Sequence, residues 1–146
     1  MPTFHNDILG KLELATQTFL AAAGLTLTDA ANIHCGFAKD DRACPFIVAV
    51  ARDAEIDVNF DGNWSCDLEI MVASNVDDTT RAQHEERAGE AFSYFFTATI
   101  AADLSAAIDD FTVQEFLPRR QSKDLDDRKW IHRAMFKVNC CGSDLG

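Results

Sequence analysis

The chain has 146 residues, 47% of them hydrophobic and 25% charged, which is one domain's worth of ordinary globular composition. Its net charge of −11 argues against a generic DNA-, RNA- or acidic-membrane-binding module, because each of these needs a basic surface. Five cysteines form an odd count without framework spacing, so a reducing, cytosolic assembly site is the simplest setting. No apolar run reaches the length of a membrane helix, and Met1 to Asp7 offers no basic leader ahead of an apolar stretch.

Asp7 to Ala23 reads as a helix. Ile8, Leu12, Ala15, Phe19 and Ala22 recur at helical spacing, and Gly24 stands where a left-handed C′ residue belongs. Gly10 is an internal cost to that helix. Leu25 to Arg42 is irregular and polar, a connection with room for one short strand. Pro45 then opens the apolar run Phe46-Ile47-Val48-Ala49-Val50, the pattern of a strand buried on both faces. Asp61-Gly62-Asn63 carries turn chemistry. From Trp64 to Val72 the chain alternates: Trp64, Cys66, Leu68, Ile70 and Val72 face a core, while Ser65, Asp67, Glu69 and Met71 face away. A long hairpin centred on Gly62 follows.

Thr80 and Gln83 fit a capping box, with Asp77 and Asp78 just upstream where negative charge suits a helix start. The helix runs from Arg81 to Phe96. His84, Ala88, Ala91 and Phe95 form its stripe, widened by Phe92 and Phe96, and Gly89 offers a close approach to the sheet. A short helix spans Ala101 to Ile108. Phe111 to Leu117 is a strand ended by Pro118, and Trp130 to Cys140 is the last strand. Residues 118–129 read as an extended loop or arm, longer than a hairpin needs. The order helix-strand-strand-helix-strand-strand predicts a single α+β domain over 1–146. It would be a mostly antiparallel sheet with helices packed on one face. Trp64, Leu68, Ile70, Phe92, Phe95, Phe136 and Val138 are the expected core.

Catalytic and metal signatures are missing. There is no GxGxxG or P-loop spacing. His84-Glu85-Glu86 begins like a zincin helix, but the second histidine would be at 88, where Ala88 stands. Cys35, Cys44, Cys66, Cys140 and Cys141 have no CxxC pairing. Neighbours such as His34 and Cys35 rarely form a nucleophile–base couple, because the base must face the sulfur across a cleft. Paired acids at Asp40-Asp41, Asp77-Asp78, Asp109-Asp110 and Asp126-Asp127 suit turns and helix starts better than an acid/base dyad. His84 suits a core or subunit contact. The expectation is no catalytic residues, no cofactor and no metal.

Charge is unevenly spread. Between Arg119 and Lys137 lie seven basic and three acidic residues, a net of +4, and the rest of the chain is −15. This is either a solvated basic loop or a self-complementary arm that meets the acidic body of a second copy. In the second case Arg119, Arg120, Lys123, Arg128 and Lys129 are the contact residues. Asp77, Asp78, Glu85 and Glu86 are then the acids they meet.

Several of these features occur together in one known layout. They are a leading helix, Pro45 with Phe46-Ile47-Val48-Ala49-Val50, Gly62-Asn63-Trp64 opening an alternating strand, Asp77-Asp78-Thr79-Thr80, His84 on the next helix, and a final strand from Trp130. In this layout, over about residues 45 to 140, the chain resembles the small tail terminator (tail completion) and neck proteins of long-tailed bacteriophages. The resemblance implies a mixed α/β subunit without catalytic residues. It would form a ring, commonly a hexamer, that caps the tail tube, stops its growth and meets the head-side connector. The implied partners are the chain itself, the tail tube protein and the connector protein, in a virion assembled in the host cytoplasm. DNA would slide through the lumen without specific binding. The alternatives are a head-completion or neck adaptor of the same particle, a non-viral binding module, or a small cytosolic enzyme. The enzyme would need a pocket gathering His34, Cys35, His84 or His132.

Overall fold

Asp7 opens the first helix by accepting a hydrogen bond from the Gly10 amide at 3.3 Å. The computed structural model describes residues 7–37, 42–56, 63–108 and 111–142. Helix α1 spans Ile8–Ala22 and buries Ile8, Leu12, Ala15 and Leu20. Gly24, at φ +76°, turns the chain away, as its place after the helix requires. Gly10 has a reason beyond propensity: a Cβ there would sit 2.6 Å from the Asp7 carboxylate and push the cap aside.

A single 3-10 turn, Ala30–Asn32, leads into the short strand β1, Ile33–Cys35. Strand β2, Phe46–Ile56, is buried on both faces from Phe46 to Ala51. Strand β3, Asn63–Asn75, pairs antiparallel with β2 from Phe46↔Ala73 to Ile56↔Trp64. The expected turn at Asp61-Gly62 lies outside the described residues, as do Asp40-Asp41 and Asp109-Asp110. Helix α2, Arg81–Ser93, starts with the full capping box: the Gln83 amide donates to Thr80 Oγ1, and the Thr80 amide donates to Gln83 Oε1. Helix α3 spans Ile100–Ala107. Strands β4, Phe111–Asp126, and β5, Lys129–Gly142, form a long antiparallel hairpin.

The sheet order is β1-β2-β3-β5-β4, with β1 parallel to β2 and every other pair antiparallel. Among the described residues, the three helices α1, α2 and α3 cover one face. Their apolar stripes meet Ile47, Ala49, Cys66, Leu68, Ile70, Val72, Ala134, Phe136 and Val138 in the main core. Alternation along β3 explains this, since Cys66, Leu68, Ile70 and Val72 are all fully buried on the helix side. A smaller cluster of Phe46, Val48, Val50, Ala73 and Ile131 lies on the other face.

Five expectations are corrected. The stretch 118–129 is not a loop: residues 118–126 continue β4, and β5 begins at Lys129. Pro118 does not end the strand, because β4 is an edge strand and a register shift between Pro118 and Arg120 absorbs the missing donor. Helix α2 stops at Ser93, so Phe96 leaves its stripe and is 51% exposed. Gly89 faces open space rather than the sheet. Trp64 is only half-buried at the margin of the core.

Phe95 is where the helix layer and the sheet lock together. Its ring lies 5.5 Å from Phe19, 5.9 Å from Phe116 and 5.8 Å from Phe136. Phe95→Ala is expected to lower unfolding stability by about 3–5 kcal/mol in denaturant titration. A loss under about 1 kcal/mol would mean that the aromatic cluster does not hold the layers together.

Candidate assembly surface

The basic segment forms the outer half of the β4–β5 hairpin. It turns at Asp127 and Arg128, with φ of 48° and 60°, closing the strands between Asp126 and Lys129. Two left-handed residues give a tight hairpin turn whose twist matches the strands. The tip is tied down. The Val76 amide donates to Arg128 O at 3.0 Å, the Arg128 guanidinium pairs with the Asp77 carboxylate, and Trp130 Nε1 donates to Thr79 O at 3.0 Å.

Much of the expected charge matching therefore occurs within one chain. Lys123 Nζ lies 3.3 Å from Glu85 Oε1, and Arg81 meets the same carboxylate at 3.3 Å. Hydrogen bonding and attraction from Lys123 hold the Glu85 carboxyl below its usual range. Arg128 takes Asp77, and Arg119 reaches toward Asp67 at 3.9 Å. Asp78 accepts from Thr79 Oγ1 at 2.9 Å. Among the described residues, no acid lies within ion-pair distance of Arg120 or Lys129, and no cation lies within that distance of Glu86. Within one chain, Lys123 and Arg128 are held by their own Glu85 and Asp77. Exposed pairs of this type add little to stability but fix geometry.

The helix-free face carries a second ion network that the sequence analysis did not single out. Glu69, 5% exposed, accepts from Arg52 Nε at 2.5 Å and Arg133 Nε at 3.0 Å. Arg133 also approaches Asp124 at 3.9 Å. Asp67 accepts from Lys137 Nζ at 3.0 Å. Two arginines around one buried carboxylate compensate its desolvation, which a single pair seldom does. The outward set Asp67 and Glu69 in the alternation was the available signal, but the sequence did not name their partners.

His84 and His132 come together, with ring centroids 6.2 Å apart. His84 Nδ1 lies 2.9 Å from Ser74 Oγ, which also accepts from Arg87 at 2.5 Å. The serine oxygen accepts from Arg87 and exchanges a second hydrogen bond with Nδ1, whose direction follows the imidazole tautomer. Burial first, then His132 and Arg87, push His84 down to about 4, and burial lowers His132 as well. His34 and Cys35 sit on β1, away from this pair, so the four residues of the enzyme alternative do not share a pocket. Cys35 donates to Gln17 Oε1 at 3.3 Å, and burial raises its thiol above the ordinary value. Cys66 and Cys140 meet inside the core, where their hydrogen bond and burial push the Cys140 thiol up. Among the described residues, no three or more His, Cys, Asp or Glu side chains converge to hold a metal ion. Among the described residues, no helix is long and apolar enough to cross a membrane.

The comparisons with known proteins bear on this architecture. No family model and no curated protein sequence matches the chain. A search of solved structures does find a counterpart, a chain in the "Virion of native gene transfer agent (GTA) particle". It has a TM-score of 0.68 at 11% identity, and the match covers 96% of this chain and 100% of that one. The two chains share a fold.

Because His84 is buried neutral, its folded value lies below its unfolded value near 6.5. Its contribution to stability is complete above pH 6.5 and is lost as pH falls toward 4. Between pH 7.5 and 5.5 this one group is expected to cost on the order of 1 kcal/mol. Denaturant titrations of the wild type and His84→Leu at both pH values check this. The variant should show the smaller pH dependence, and equal dependence would contradict the buried neutral histidine.

Proposed function

We propose that this chain is a structural subunit of a phage-like virion, acting as the tail terminator. In this role a ring of copies caps the completed tail tube and joins it to the head-side connector. The observation that carries the reading is the full-length fold correspondence with a chain of a gene transfer agent virion. The layout from Pro45 to the last strand, which resembles tail terminators, supports the finer role. The proposal includes no catalysis. His84, Cys66 and Cys140 are buried, Cys35 is hydrogen-bonded, and burial pushes His34, His84 and His132 toward their neutral forms, which suits packing better than chemistry.

Physical chemistry supports a channel-lining ring in one further respect. A subunit carrying −11 repels DNA phosphates, so a duplex passes its lumen without sticking. The ring would be a homo-oligomer, a hexamer in the proposed form, with the tail tube protein on one side and the connector on the other.

Deleting the gene and examining particles by electron microscopy tests the role. The expected result is filled heads without attached tails, together with tail tubes of uncontrolled length. Tubes of normal length beside heads that leak DNA would place the protein in head completion instead. Intact infectious particles would contradict a structural role.

A further inference from the structure

The two edges of the sheet differ in charge and shape on the same helix-free face. At the β4 edge, the register shift at Pro118–Arg120 bulges the strand. Arg119 and Arg120 flank a hollow of about 260 Å³ bordered by Asp67 and Met135. Arg120 is exposed, and no described acid pairs with it. At the opposite edge, β1 covers β2 only as far as Ala49. Beyond that point the Ala51 amide is capped by Glu13 Oε2 at 2.9 Å, and Asp53 and Glu55 are exposed. No described cation lies within ion-pair distance of either acid. Beside them Phe37 is 75% exposed, with Arg52 stacked 5.4 Å from its ring centroid.

The two edges are also level. Reading across the ladders, Ala49 aligns through Ile70 and Ala134 with Gln121, and Ala51 through Leu68 and Phe136 with Pro118. Asp53 aligns through Asp67 and Lys137 with Leu117. Phe37 follows Gly36, whose amide donates to Ala49 O at 2.9 Å, and it touches Arg52. The aromatic knob and the arginine hollow therefore stand at one height on opposite sides of the subunit.

We infer that these edges are the two halves of one head-to-tail contact between copies of this chain. Phe37, Asp53 and Glu55 of one copy face Arg119, Arg120 and Met135 of the next. Asp53 and Glu55 neutralise the two arginines, and a guanidinium packs against the exposed Phe37 ring. Main-chain pairing is not the adhesive. Pro118, two register shifts and the row of cations blunt β4 against uncontrolled strand addition. Side chains therefore choose the partner edge and the register. Such a contact joins two different patches, so it builds a closed ring or a filament rather than a two-fold dimer. This inference rests on the ring reading above and names the surfaces that ring uses.

The test is native mass spectrometry of the full-length chain and three variants at low salt. Phe37→Ala should weaken assembly about tenfold or more. Arg119→Glu with Arg120→Glu, and separately Asp53→Lys with Glu55→Lys, should each leave a folded monomer, since all four sites are exposed. Circular dichroism confirms folding. Mixing the two charge-reversed proteins one to one should restore an oligomer in which they alternate, because each supplies the edge the other now needs. An oligomer that survives all the single variants overturns this contact and leaves the ring reading standing. A wild type that stays monomeric both alone and on the tail tube overturns both.

Discussion

Everything in this subunit hangs on the alternation of β3. Its thirteen residues pair with β2 on one side and β5 on the other, so it is the middle strand of the sheet. Cys66, Leu68, Ile70 and Val72 must be dry together, and that demand brings all three helices to one face. The intervening residues Asp67 and Glu69 are then forced to the opposite face. There they recruit Arg52 from β2 and Arg133 and Lys137 from β5. A one-residue slip would put two carboxylates in the aromatic core and four apolar side chains in the ion network. The same periodicity thus fixes the fold and creates a charged, helix-free face.

The outer hairpin explains how an acidic chain carries a concentrated basic segment without wasting it. Lys123 and Arg128 brace the long hairpin against α2 and the β3–α2 turn, so the hairpin presents a rigid edge rather than a floppy arm. Arg119 and Arg120 sit at the bulge, beyond that bracing. Cations that brace and cations that reach outward are separated by position along one strand. A rigid edge loses less entropy on assembly than a loop that must order first, which would favour the proposed ring.

The sequence was legible where period and caps agree. The α1 limits, the Thr80–Gln83 cap and the inward set of β3 follow from spacing, and the helix-on-sheet arrangement follows from them. The outer hairpin was not legible, for two physical reasons. Pro118 reads as a strand end, yet an edge strand tolerates it through a bulge. Asp127-Arg128 lacks the glycine that announces a tight turn, and contacts to Val76 and Asp77 compensate for the left-handed arginine. Phe96 kept the helical spacing of its neighbours, but the helix ends before it. For the assembly surface, composition identified the basic residues and Asp77 and Glu85 as their counter-charges. It could not tell a pairing within one chain from one between copies, because either arrangement satisfies the same charges. Asp53 and Glu55 gave no signal at all, since their meaning depends on which strand forms the second edge.

The central claim is that this fold serves as a ring subunit at the tail end of a virion. A cryo-electron microscopy map of purified particles at the head–tail junction tests it most directly. The account predicts a closed ring of this five-stranded, three-helix subunit seated on the last turn of the tail tube, with adjacent sheets meeting edge to edge. Particles that lack the protein, or that hold it elsewhere without a ring, would contradict the account.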